Sequence, residues 1–174
     1  MRCICLAGLS AFVALAVVGG TAHTYQATEQ HPGSGPAVGG DPRFAGNVQA
    51  ALDYLKANYP SDYAKVTFWL SDVNPTDTFT RVDSGGHCYI NGADGDASFY
   101  WLAGVLIHEA QHVQDDATYF VDHPYSAEES EHRALLSQVA YLGSINSWTQ
   151  QQDDYWVDGW LAKKYWITIP EQYK

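Results

Sequence analysis

The order of apolar and polar residues divides the chain into segments of different kinds. Behind Arg2 an almost uninterrupted apolar stretch runs from Cys3 to Val18, and small residues follow at Gly19, Gly20, Thr21 and Ala22. This is the layout of a cleaved secretory signal peptide over residues 1–22, and the stretch is short for a spanning helix. Residues 23–41 have no apolar period, pass through HPGSGPAVGG and read as a flexible leader. At Asp41-Pro42 an N-cap precedes a first-turn proline. Phe44, Val48, Ala51, Leu52 and Leu55 then recur at helical spacing until Asn58-Tyr59-Pro60 ends them. One folded domain, residues 42–174, is expected to start there.

Further along, VTFWL at 66–70, FTRV at 79–82 and HCYIN at 87–91 are short and rich in β-branched and aromatic residues. Asn74-Pro75 and Ser84-Gly85-Gly86 separate them, so the pattern predicts three strands of a small sheet. After a loop over residues 91–96, SFYWLAGVLIHEAQHVQ is long enough for a helix and is apolar all round in its first half, which predicts a central, buried helix. Ser126 and Glu129 form a capping box ahead of a second helix, on which Leu135, Leu142 and Ile145 share one stripe with Glu131 and Gln138. The predicted class is α+β, and the aromatic tail after residue 150 has no clear period.

Composition narrows the function. With 174 residues, 46% of them hydrophobic and 14% aromatic, the chain supports a single core. Nine Lys and Arg against 20 Asp and Glu give a net charge of -11, which disfavours nucleic acid and anionic membrane surfaces as partners. The expected location is therefore secreted or extracytoplasmic, with no stable membrane association after signal cleavage. Cys3 and Cys5 fall in the signal, leaving Cys88 without an intramolecular disulfide partner; a strand cysteine packed in the interior explains it more simply than a nucleophile. The aspartates 94, 96, 115, 116, 153, 154 and 158 lack the spacing of a calcium loop and read as a solvated acidic surface. Trp148, Trp156, Trp160 and Trp166 read as aromatic packing that closes the core.

Residues 108–112 carry the chemistry: His-Glu-Ala-Gln-His. On an α-helix, positions i and i+4 are about 40° apart and about 6 Å along the axis, so His108 and His112 can reach one ion. Glu109 follows the first histidine, where its carboxylate can take a proton from a water beside the metal. Zinc suits such a site because it has no redox chemistry and activates water near neutral pH. A third ligand is required from Asp115, Asp116, Asp122, Glu128, Glu129, Glu131, His123 or His132. Glu131 is preferred because its stripe points into the domain, where a carboxylate without a partner is costly. Glu128, one turn earlier, is the runner-up, and Glu129 is explained by the capping box. Tyr119, His123, Tyr125, His132 and Tyr141 are candidates for stabilising an oxyanion, with His132 slightly ahead.

HEAQH, eighteen residues, then Glu131 followed by His132-Arg133-Ala134, resembles the gluzincin metallopeptidases. That resemblance covers residues 98–145 and implies a zincin-like fold with His108, His112 and Glu131 as zinc ligands and Glu109 as general base. It implies a hydrolase acting on a peptide or protein substrate. The chain departs from the thermolysin-like pattern at Leu135, where that group carries an aspartate supporting a zinc-bound histidine. HCYIN leads into the motif helix and suggests an exposed strand edge to which an extended peptide could pair. Two other functions remain open: a non-catalytic exported binding protein with a structural zinc and an aromatic partner surface, and a hydrolase of another amide such as a cell-wall peptide.

Overall fold

The computed structural model describes residues 35–119, 126–146 and 157–162. The chain forms β1 (Ala37–Val38), α1 (Pro42–Asn58), α2 (Pro60–Trp69), β2 (Asp72–Thr76), β3 (Arg81–Val82) and β4 (His87–Asn91). It continues with a short α3 (Gly92–Gly95), α4 (Phe99–Tyr119) and α5 (Ala127–Asn146), and residues 157–162 form a further helix, α6. The class is α+β, as the pattern predicts. The proposed signal peptide and most of the leader lie outside the described residues. Among the described residues no helix is long and apolar enough to cross a membrane.

The Asp41 carboxylate accepts hydrogen bonds from the backbone N–H groups of Arg43 and Phe44 at 2.8 and 2.9 Å, and Pro42 opens the first turn of α1. Pro60 removes the helical option from Tyr59, ending α1, and then serves as the first residue of α2. Residues 66–69, predicted as part of a strand, are consequently the last turn of α2. Their burial has the helical period: Val66 and Leu70 are fully buried, whereas Phe68, which a strand would place on the same face, is 64% exposed.

The sheet has the order β1-β2-β4-β3; β1, β2 and β4 are parallel and β3 is antiparallel to β4. Two of its strands depart from the sequence expectation. β1 lies in the segment read as a flexible leader, its backbone bonded to Ser71 and Val73. β2 contains Asn74-Pro75, read as a turn. The Val73 carbonyl faces β1, where it accepts from Gly39, so by the period of two the missing N–H of Pro75 faces the same way, beyond the end of β1. The proline therefore removes no bond from the ladder. β4 is paired on both sides, by β2 and β3, so the exposed edge expected at HCYIN is instead β3.

Helices α1, α2, α4 and α5 pack with the sheet around one core that includes Leu55, Val66, Val73, Ile90, Leu102, Leu106 and Ile107. Cys88 is completely buried in it, and burial together with the Glu109 charge holds its thiol well above the usual range, which leaves it inert. The α4–α5 crossing is close at Gly104, where an added Cβ would lie 3.3–3.5 Å from Gln138, Tyr141 and Leu142. Gly104 lies against residues 138–142 while His112 lies against Ser130, so the two helices run antiparallel.

Candidate metal centre

The buried half of α4 carries His108, Glu109 and His112 beneath α5. Ser126 and Glu129 close the predicted capping box, with Ser126 N–H donating to the glutamate at 2.8 Å and Glu129 N–H donating to the serine hydroxyl at 3.2 Å. This fixes where α5 starts and therefore which of its glutamates turns inward. Glu131 is 4% exposed, whereas Glu128 is exposed and Glu129 is held in the cap.

The two imidazoles face each other with Nε2 atoms 3.0 Å apart. Glu131 Oε2 lies 3.3 Å from His112 Nε2, and Glu131 Oε1 lies 3.7 Å from His108 Nε2. A tetrahedral ion with ligands at about 2.1 Å has ligand-to-ligand edges of about 3.4 Å. The separations are near that value, the two to Glu131 being to different carboxylate oxygens, and with one ligand atom per residue all three lie within 4.8 Å of one another. Two imidazole nitrogens and one carboxylate are donors that could hold a metal ion. The side chains of His108 and His112 are only 12% and 14% exposed, so a cation there would be largely withdrawn from bulk water.

The electrostatics fit cation binding. Burial, reinforced by the His112 charge, lowers the His108 pKa to about 4, so this imidazole is neutral at neutral pH. Burial acts the same way on His112 but is outweighed by its bond to Glu131 and by the Glu109 and Glu131 charges, and its pKa is raised. Burial pushes Glu109 up to about 7; the His112 charge opposes this and Glu131 adds to it. His112 Nδ1 lies 2.9 Å from Ser130 Oγ, which fixes the ring with Nε2 toward the cluster. His108 Nδ1 is buried, and Gln138 is the polar side chain that acts on this imidazole.

Two supporting residues escape sequence reasoning. Ser130 fixes the His112 ring through its hydroxyl, and Leu135 is fully buried beside Val139 and Val157. Trp160 on α6 donates its indole N–H to Glu131 Oε1 at 2.9 Å. Of the four tryptophans read as core packing, it is the one within the described residues, and no spacing rule links it to residue 131.

The other candidates lie elsewhere. His132 is exposed and stands outside the cluster, and Asp116 is exposed. Asp115 is buried but engaged by Gln111 Nε2 at 2.6 Å and Arg133 Nε at 3.0 Å. Tyr141 is buried between α4 and α5, away from the three ligand atoms. Asp122, His123 and Tyr125 lie outside the described residues, as do Asp153, Asp154, Trp148, Trp156 and Trp166. Asp94 is a structural acceptor for Thr80, Asn91 and Trp101, and Asp96 pairs with Arg43.

Comparison with protein-family models, curated proteins and solved structures returns no match for this chain. The gluzincin resemblance accordingly rests on HEAQH and Glu131 themselves.

Proposed function

We propose that the chain is an exported zinc-dependent peptidase. The observation that carries this reading is the convergence of His108, His112 and Glu131 ligand atoms within 4.8 Å of one another, with the buried Glu109 one residue after the first histidine. A zinc ion held by those three side chains supplies Lewis acidity, polarising a carbonyl and lowering the pKa of water toward about 7. Glu109, with its own pKa near 7, is matched to take a proton from the attacking water and return it to the leaving amine. Ser130 and Trp160 hold His112 and Glu131 in position and take no part in proton transfer.

The edge strand β3 touches α4, and among the described residues no strand pairs with its outer side. An extended peptide adding to that edge has its backbone aligned beside the motif helix, which favours a peptide over a compact amide. The non-catalytic alternative calls for a fourth protein ligand closing the site; among the described residues the cluster offers three.

The test is zinc content and cleavage of a mixed peptide library by the parent and by Glu109→Gln. The parent is expected to bind about one zinc per chain and cleave; the variant is expected to keep the zinc and lose on the order of 10²–10⁴-fold in rate. A variant that cleaves as fast as the parent removes Glu109 as the base. A parent that binds zinc without cleaving any peptide leaves a binding protein.

A further inference from the structure

Gln111 and Asp115 are buried polar residues of α4, 6% and 2% exposed, and neither belongs to the metal cluster. Asp115 Oδ1 accepts a hydrogen bond from Gln111 Nε2 at 2.6 Å, and its Oδ2 accepts one from Arg133 Nε on α5 at 3.0 Å. Gln111 Oε1 in turn accepts from Ser137 Oγ on α5 at 3.0 Å and from Lys65 Nζ on α2. One run of hydrogen bonds therefore joins three helices, and both carboxylate oxygens of Asp115 are engaged within it.

The rungs follow the register of the two long helices. Gln111 bonds Ser137; one turn later on α4, Asp115 bonds Arg133, which is one turn earlier on α5, as antiparallel helices require. At about 100° per residue, Gln111 and Asp115 lie about 100° and about 60° round α4 from His112, both on the same side. The α4–α5 interface thus carries the metal cluster on one flank, where His112 meets Ser130 and Glu131, and this polar ladder on the other.

A buried ion pair is a weak source of stability, because withdrawing its charges from water offsets most of their attraction. Apolar packing holds the helices together but is non-directional, so it resists sliding less than hydrogen bonds of fixed length and angle. Sliding would undo the cluster. Glu131 Oε2 lies 3.3 Å from His112 Nε2, and a slip of one turn would carry it about 5.4 Å along the axis. Even a shift of about 1 Å exceeds the spread of zinc–oxygen distances, roughly 2.0–2.2 Å.

We propose that Gln111, Asp115, Arg133 and Ser137 form a register lock, a set of positioning residues that holds α5 where its Glu131 reaches the histidines of α4. The lock rests on the metal centre proposed above, and none of its four residues is a ligand.

The test sets zinc affinity against the melting temperature of the chelated full chain. In the triple variant Gln111→Leu, Asp115→Leu, Arg133→Met, apolar side chains replace the ladder, and the chelated protein is expected to melt within a few degrees of the parent. Its zinc affinity, measured where both proteins are fully folded, is expected to fall at least about 10-fold, the effect of losing the support behind a metal ligand. Leu52→Ala, a truncation in the core outside the ladder, is expected to do the reverse, lowering the chelated melting temperature with zinc affinity unchanged. Should the triple variant fail to fold, Arg133 alone decides, because its side chain is 42% exposed and an exchange there leaves the core intact. Arg133→Lys retains a cation for Asp115 and is expected to keep the parent's affinity, whereas Arg133→Met is expected to lose about 10-fold. Parent-like affinity in the triple variant or in Arg133→Met, equal losses in Arg133→Lys and Arg133→Met, or an equal loss in Leu52→Ala would each overturn the register lock while the metal centre stands. A parent that binds no zinc removes the metal centre, and the lock with it.

Discussion

Glu128 and Glu131 lie within one turn of each other and are nearly equivalent by periodicity; the capping box separates them. With Ser126 fixed as the cap, Glu128 falls in the exposed first turn and Glu131 a turn deeper, against the histidines. Glu131→Ala is therefore expected to abolish tight zinc binding, while Glu128→Ala leaves it unchanged; paired zinc titrations read both, and the reverse order would remove Glu131 from the site. Trp160 yields a finer prediction. Its indole N–H holds Glu131 Oε1, so Trp160→Phe, which keeps an aromatic ring beside Leu135 and Val139, is expected to weaken zinc affinity about 10- to 100-fold. Unchanged affinity would make that hydrogen bond incidental. The three candidate ligands are legible in the sequence because two of them obey a helical spacing and the third follows a cap. Ser130 and Trp160 were not, because their roles depend on which way one ring and one carboxylate are turned in three dimensions.

At the scale of elements, α1, α4, α5 and β4 were readable because caps, prolines and long apolar periods agree there. The segment 66–70 looks like a strand because Val, Phe, Trp and Leu favour strands locally, yet Pro60 starts a helix whose period then decides which of them are buried. β1 and β2 were hidden for a different reason. A two-residue strand has no period of its own, and Asn74-Pro75 looks like a turn until β1 is seen to stop short of the proline. The parallel β2–β4 pair also carries a pH-dependent link. His87 Nδ1 lies 2.6 Å from Asp72 Oδ2, and that hydrogen bond raises the His87 pKa above 6.5; burial opposes it, and the Asp83 charge adds a lesser upward push. A raised folded-state pKa means that stabilisation is complete below about pH 6.5 and disappears as pH rises through the folded value. The pair is substantially exposed, so its contribution is only about 0.2–1 kcal/mol. Denaturant unfolding of the parent and His87→Ala is expected to show that difference at pH 5.5 and to lose it by pH 9. A difference that grows with pH would contradict the pairing.

Over the whole molecule, the cluster is a place where metal and stability should be coupled. Glu109 and Glu131 are both buried, each raises the cost of ionising the other, and two imidazole nitrogens converge on the same point at 3.0 Å. A divalent cation can take the place of the proton that these groups share, and the three ligand atoms converge only in the folded chain, so zinc is expected to bind the folded chain far better than the unfolded one. At a free zinc concentration 100 times Kd, the linkage stabilises the fold by about 2.7 kcal/mol. For a chain of this size that corresponds to a rise in Tm of roughly 5–11 °C over the chelated protein. The net charge of -11 attracts any divalent cation weakly, so the comparison must separate the site from the surface. Magnesium demands oxygen ligands in an octahedral shell and should not reproduce the shift, and Glu131→Ala should lose most of it. A melting temperature indifferent to zinc and chelator, or raised equally by magnesium and zinc, would show that the three side chains converge without forming a metal centre.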